Sequence, residues 1–164
     1  MLNAKLQDAL NAQIQAESYS AWLYLAMAAH AEQLNFKGMA RWLRLQHQEE
    51  LAHAYKLFDY VHDRGGKVAL KTLEAPPAEF GAPLALFEQV YKHEQHVTSL
   101  IHKLYELAVA EKDVATQVFL NWFVTEQVEE EASASEIVEK LRMIPDKSGG
   151  IWYLDKELGK RGKD

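Results

Sequence analysis

Apolar residues recur every three or four positions over four long stretches of the chain, and helix-breaking residues are rare inside them. This spacing predicts four long α-helices and a short fifth one. Residues typical of helix ends stand between the stretches: Gly65 and Gly66 as a stop, Pro83 in a first turn, and Asp113 as an N-cap. The predicted helices cover about 3–34, 37–64, 83–112, 113–143 and 151–158.

The lengths of the predicted loops decide the topology. The first two helices are joined by only a few residues, as are the third and fourth, so each pair must form an antiparallel hairpin. The loop at 66–82 is longer: about 17 extended residues reach roughly 56 Å, whereas a helix of about 28 residues spans roughly 42 Å. We therefore predict one all-α domain over 1–164, a four-helix bundle with one long crossover and a short C-terminal helix.

Each of the four long apolar stripes contains one polar residue near its middle. Two of these residues are 33 positions apart in the first hairpin, and two are 33 positions apart in the second. Three positions further along comes His53 in the first half and Glu130 in the second, so the halves read E-x32-E-x-x-H and E-x32-Q-x-x-E. A pseudo-twofold axis across the bundle would bring the two sets together. The mid-stripe residues are Glu17, Glu50, Glu94 and Gln127.

This repeat predicts a pair of metal ions in the core. Residues i and i+3 share a helix face, so Glu50 and His53 can aim at one point. Carboxylates together with an imidazole suit iron or manganese. Four buried glutamates carry four negative charges, which two divalent ions balance. The alternatives are that E-x-x-H arises by chance, or that the helical phase is one position off and the glutamates face solvent.

Composition narrows the possible functions. The chain has 24 acidic and 18 basic residues, a net charge of −6, which argues against binding to nucleic acid or anionic membranes. It has no cysteine, which excludes disulfides, iron–sulfur clusters and thiol catalysis. The longest apolar run, 21–29, is too short to span a membrane, and the N-terminus lacks the apolar stretch of a signal peptide. We expect a cytoplasmic protein.

Four segments of the chain are distinctive: QAESYSAWLYL at 15–25, QEELAH at 48–53, EKD at 111–113 and EQVEEE at 126–131. They resemble segments of prokaryotic non-haem ferritins, and the resemblance covers essentially the whole chain. It implies a ferritin-like bundle, a hollow homo-oligomeric cage of 24 subunits, and a ferroxidase centre in each subunit. From the resemblance we expect iron(II) to be oxidised there by dioxygen or peroxide, and the iron(III) product to be stored as an oxyhydroxide mineral.

The resemblance also implies a ligand set. Glu17, Glu50 and His53 resemble the ligands of the first iron. Glu50 with Glu94 and Glu130 resembles those of the second, so that Glu50 bridges both ions.

Two further residues and a third iron site follow from the same resemblance. Gln127 resembles a glutamine that hydrogen-bonds beside the centre. Tyr24 resembles a tyrosine near the centre that takes part in hydrogen bonding or electron donation, although it reads equally well as a core aromatic residue. The glutamates of the third site read alternatively as a solvated acidic face. They are Glu49, Glu126, Glu129 and Glu130.

The remaining histidines form no second cluster of comparable spacing. We expect His47 in the core or next to the ligands, and Trp122 in the core. We expect the other histidines at the surface: His30, His62, His93, His96 and His102.

Three rival functions compete with that of a non-haem ferritin. A bacterioferritin would bind haem through a methionine after the second-helix glutamate, where this chain has Leu51, and would use E-x-x-H in its second half, where it has Gln127 and Glu130. A rubrerythrin-like peroxidase usually carries a cysteine-rich iron domain, which the composition excludes. A structural or signalling bundle would contain no iron.

Overall fold

The computed structural model describes residues 1–145 and 148–162, and in this part of the chain all regular structure is helical. The predicted all-α architecture is confirmed, and each predicted helix end lies within about two residues of the observed one. None of the described helices is both long enough and apolar enough to span a bilayer. The helices are α1 (Ala4–Gln33), α2 (Lys37–Asp63), α3 (Pro83–Ala110), α4 (Val114–Met143) and α5 (Gly150–Leu158).

Two tight turns make the hairpins, and they are equivalent in the two halves. Asn35 follows Glu17 by 18 positions, and Lys112 follows Glu94 by the same number. Both turn residues have left-handed backbone, with φ of 62° and 56°. This conformation commonly ends a helix and suits asparagine better than lysine. The internal repeat therefore extends from the polar stripe residues to the turns.

The crossover between α2 and α3 runs along α1 rather than out into solvent. Near the start of α1, the Asn11 amide donates to the carbonyl oxygen of Lys67 at 2.9 Å. One turn further along, the Gln15 amide donates to the carbonyl oxygen of Thr72 at 2.8 Å. These bonds satisfy backbone groups of a segment that has no regular structure. The predicted long crossover is confirmed.

Two histidines that we expected at the surface are mostly buried instead. His30, near the end of α1, is 4% exposed, and its Nε2 lies 2.8 Å from the Gly81 carbonyl oxygen at the end of the crossover. His93 on α3 is partly buried, with Nε2 2.8 Å from the Ser20 hydroxyl. The periodicity of a single helix could not predict the burial of these two side chains, because His30 is covered by the crossover and His93 by the neighbouring α1. The other three, His62, His96 and His102, are exposed as expected.

The apolar core consists of two separate clusters. One includes Leu43 and Phe87 and lies at the end of the bundle where α5 docks. The other includes Leu10 and Ile101 and lies at the opposite end. The polar stripe residues lie between the two clusters, so the ligands form a layer across the middle of the bundle.

The short helix α5 is fixed against the start of α2. A Cβ atom on Gly38 would lie only 1.6 Å from the Asp155 carbonyl oxygen, so glycine is required there for α5 to approach. The carboxylate of Asp155 in turn accepts a hydrogen bond of 2.8 Å from the backbone N–H of Met39. That bond satisfies one of the free N–H groups at the start of α2.

An ion pair joins the two hairpins at the other end. Arg64, just after α2, donates to both carboxylate oxygens of Asp113, at 3.0 and 2.9 Å. Asp113 also caps α4 by accepting from the backbone N–H of Thr116 at 2.9 Å. These contacts, chiefly the one from Arg64, lower the pKa of Asp113 to about 2.

We predict that Asp113→Ala lowers the free energy of unfolding by about 1–2 kcal/mol, because it removes both the helix cap and the ion pair. Asp113→Asn keeps the cap and should lose less than about 1 kcal/mol. Urea denaturation at one protein concentration measures both. Equal stabilities for the two variants would contradict the double role of Asp113.

Candidate metal centre

The first hairpin brings three of the expected ligands together. Glu17 extends from α1, and Glu50 and His53 extend from one face of α2. All three are buried, and each offers a donor atom within 4.8 Å of the others. His53 Nδ1 lies 3.2 Å from a carboxylate oxygen of Glu50. Because these side chains are buried, the alternative of a shifted helical phase is excluded.

The second hairpin contributes Glu94 from α3 and Glu130 from α4, which are 1% and 6% exposed. Both carboxylate oxygens of Glu94 are held. The Tyr24 hydroxyl, fully buried on α1, donates to one of them. The Gln127 amide donates to the other at 3.2 Å. Tyr24 is thus both a core aromatic residue and a hydrogen-bond partner of an expected ligand.

The two carboxylate oxygens of Glu17 differ in their hydrogen bonding, and the difference indicates a metal site. Its Oε1 accepts a hydrogen bond of 2.8 Å from the Gln13 amide. Its Oε2 is buried and has no hydrogen-bond partner among the described residues. A buried carboxylate oxygen without a partner is unfavourable, and a cation removes the penalty. The donor set of carboxylates and one imidazole fits a divalent transition-metal ion.

The four carboxyl groups share an unfavourable environment. Burial raises the pKa of Glu17 and of Glu50 well above the usual range, and the neighbouring carboxylates raise both further. Burial also raises the pKa of Glu94, against the hydrogen bonds it accepts. Burial, followed by the charge of Glu94, raises the pKa of Glu130 to about 8. Without a metal the layer therefore holds protons near neutral pH.

The expected third site is only partly assembled. Glu126 lies 3.9 Å from His53 Nε2, and these two form a second potential metal group with Glu130. Glu49 instead makes an ion pair with Arg161. Glu129 is exposed and belongs to neither potential metal group.

The predictions from sequence missed two buried glutamines beside the ligands, Gln13 and Gln46. We expected His47 in the core or next to the ligands, but it is only partly buried, with Nδ1 2.7 Å from the Ala21 carbonyl oxygen. Its neighbour Gln46 is 1% exposed and donates to Glu130 at 2.6 Å and to Glu50 at 3.3 Å. A signal was present, because a glutamine precedes the stripe glutamate by four positions in both helices of the first hairpin.

The prediction that Trp122 lies in the core is wrong. Its side chain is 39% exposed, and its ring meets that of His53 edge to face with centroids 5.3 Å apart. The ammonium group of Lys56 lies 4.3 Å from the centre of the indole. Trp122 thus covers the outer side of His53 while one part of its ring stays in solvent.

Comparisons with known proteins show the family and the fold that this chain matches. The ferritin-like domain family matches residues 7–144. A bacterial non-heme ferritin from Bacteroides fragilis is 47% identical over 161 residues, which are 98% of this chain and 100% of the relative. One from Escherichia coli O157:H7 is 39% identical over 158 residues, 96% of each chain. An open-pore ferritin from Archaeoglobus fulgidus superposes with a TM-score of 0.97 at 54% identity, covering 98% of this chain and 99% of that one.

We predict that binding of zinc(II), a redox-inert probe, releases protons, and that its affinity rises as pH increases toward 8. The raised pKa values mean that protons must leave before the carboxylates bind the ion. Calorimetric titration in buffers of different ionisation enthalpy counts the released protons. Glu130→Gln, which has no proton to lose, should release about one fewer. A binding enthalpy that does not depend on the buffer would contradict the prediction.

Proposed function

The chain belongs to the ferritin family, and from this premise we propose that it stores iron and acts as a ferroxidase. In this proposal the carboxylate–histidine layer oxidises iron(II) with dioxygen or peroxide, and the product is kept as a ferric oxyhydroxide mineral inside a 24-subunit cage. The observation that carries the proposal is the buried group of Glu17, Glu50 and His53, with one oxygen of Glu17 lacking a partner among the described residues.

Two iron(II) ions per subunit are the proposed substrate. Glu17, Glu50 and His53 would hold the first ion, and Glu50, Glu94 and Glu130 the second. The two ions together give two electrons to dioxygen, which takes up two protons and leaves as hydrogen peroxide. When peroxide is the oxidant, the same electrons and two protons give two water molecules. The four carboxylates balance the two divalent charges. Oxidation to iron(III) adds two positive charges that the carboxylates do not balance and that hydroxide or oxide from water balances in the ferric oxyhydroxide product.

Tyr24 and Gln127 have a proposed orienting role at the second ion. Each donates to a different carboxylate oxygen of Glu94. This arrangement fixes the plane of the carboxylate before iron arrives, as residues around metal ligands commonly do. Tyr24 is also the buried phenol closest to the charge of Glu94, which suits it to electron donation when an odd number of electrons is needed.

We further propose the third iron site on the side of the cluster toward the cage cavity. The grouping of Glu126 and Glu130 around His53 supports it. Glu49 and Glu129 would have to turn inward to complete the site, and iron at Glu49 would compete with Arg161 for the carboxylate.

The proposal includes assembly of identical subunits in the cytoplasm, with no haem, nucleic acid or membrane as partner. Exposed aromatic residues on α5 support burial between subunits: Trp152 and Tyr153 are 55% and 79% exposed. Large exposed apolar residues grouped on one short helix are typical of surfaces that pack against another chain.

We predict that Glu50→Ala and His53→Ala each slow iron(II) oxidation by more than about 100-fold. Mutation of a residue that only hydrogen-bonds to a metal ligand already lowers metal affinity or activity about 10–100-fold. Absorbance of the ferric product in air measures the rate. Glu106→Ala and His102→Ala, which alter exposed residues of α3, are the matched controls and should match the wild type. Wild-type rates in the ligand variants would contradict the proposed function.

We predict that the purified protein sediments as one species of about 450 kDa, the mass of 24 chains of 18.7 kDa. Analytical ultracentrifugation measures it. A monomer or dimer at micromolar concentration would contradict the proposed cage. The proposed ferroxidase activity would then be tested only by the iron(II) oxidation rates of the variants.

A further inference from the structure

Arg161, three residues beyond the end of α5, is the residue through which the C-terminal tail reaches the metal layer. Its guanidinium lies 4.6 Å from the centre of the Trp42 ring. It donates to the Gln46 side-chain oxygen at 2.9 Å and to Glu49 at 2.5 Å. The three partners are spaced four and three positions apart on α2, so they share one face of that helix.

The bond to Gln46 fixes which way its amide points. A guanidinium can only donate hydrogen bonds, so the atom of Gln46 that faces Arg161 must be the carbonyl oxygen. The amide N–H groups then face the metal layer, where they donate to Glu130 at 2.6 Å and Glu50 at 3.3 Å. If the amide were turned over, its oxygen would face two carboxylates and repel them.

We infer that Arg161 is a positioning residue for the metal centre, acting through the amide of Gln46 on Glu130 and Glu50. The inference rests on the proposed function and deepens it, because it assigns to the C-terminal tail a part in shaping the second metal site. Arg161 touches no expected ligand of the two ions. Its effect passes through the Gln46 side chain, which is 1% exposed and which Arg161 and the two carboxylates orient in the same sense.

Two sets of contacts fix the position of Arg161, so that it can orient the Gln46 amide. Arg41 Nε donates to the backbone carbonyl of Arg161 at 3.2 Å. The preceding helix is fixed on α2 by the close approach at Gly38 and by the bond from Met39 to Asp155. The Arg161 backbone is therefore fixed by contacts other than the one to Gln46. For this reason the guanidinium can hold the Gln46 amide in one orientation.

The experiment titrates cobalt(II) into air-free protein and follows its d–d absorption, which reports the ligands around each ion. Arg161→Ala is compared with Lys160→Ala, which removes the same charge from an exposed neighbour. Gln46→Ala and the double variant with Arg161→Ala complete a cycle. Arg161→Lys, which retains a donor, tests rescue. Circular dichroism and sedimentation establish that each variant is folded and assembled.

We expect Arg161→Ala to weaken binding of the second cobalt ion about 10–100-fold and to change its spectrum, whereas Lys160→Ala behaves as the wild type. Arg161→Lys should recover part of the affinity, and Arg161→Ala should add nothing in the Gln46→Ala background. Wild-type binding in Arg161→Ala, or a full additional loss in the double variant, would overturn the inference. If the wild type bound no cobalt and oxidised no iron, the proposed function would fail and the inference with it.

Discussion

Four carboxylates lie buried in one layer across the middle of this bundle, and the rest of the structure has to accommodate their charge. Apolar clusters close the layer off on both sides, so water cannot solvate it freely. Burial raises the pKa values of all four groups, and repulsion from the other carboxylates of the layer raises the pKa values of Glu17, Glu50 and Glu130 further. Protons or divalent cations are the two ways to neutralise such a layer. In an iron-storage function, divalent iron neutralises the layer. Because the carboxyl groups release protons when the cation binds, binding depends on pH.

The fold serves this layer by fixing both ends of the bundle. At one end the Arg64–Asp113 ion pair joins the hairpins, and at the other α5 is seated on α2. The crossover that connects the two hairpins is held along α1 by hydrogen bonds from Asn11 and Gln15. Glutamines and a tyrosine then orient individual carboxylates. The inferred part played by Arg161 extends this orienting shell to the C-terminal tail.

Local periodicity was sufficient to predict the helices and the burial of the stripe glutamates, because each depends on the spacing of residues within one helix, and the loop lengths were sufficient to predict the crossover. It was insufficient where a distant segment decides burial. His30 is covered by the crossover, and Trp122 is 39% exposed although it adjoins the buried Phe123. The error of one position between His47 and Gln46 arises because a stripe of period 3.6 is wide enough to include both. No pattern near Arg161 indicates its contact with α2.

In the proposed metal centre the buried layer binds two ions bridged by Glu50. The decisive measurement is anomalous diffraction at the iron edge from a crystal soaked anaerobically in iron(II). We expect two peaks in each subunit, one next to Glu17 and His53 and the other next to Glu94 and Glu130, with Glu50 between them. No iron in the layer, or a single ion that Glu50 does not contact, would refute the proposed di-iron centre.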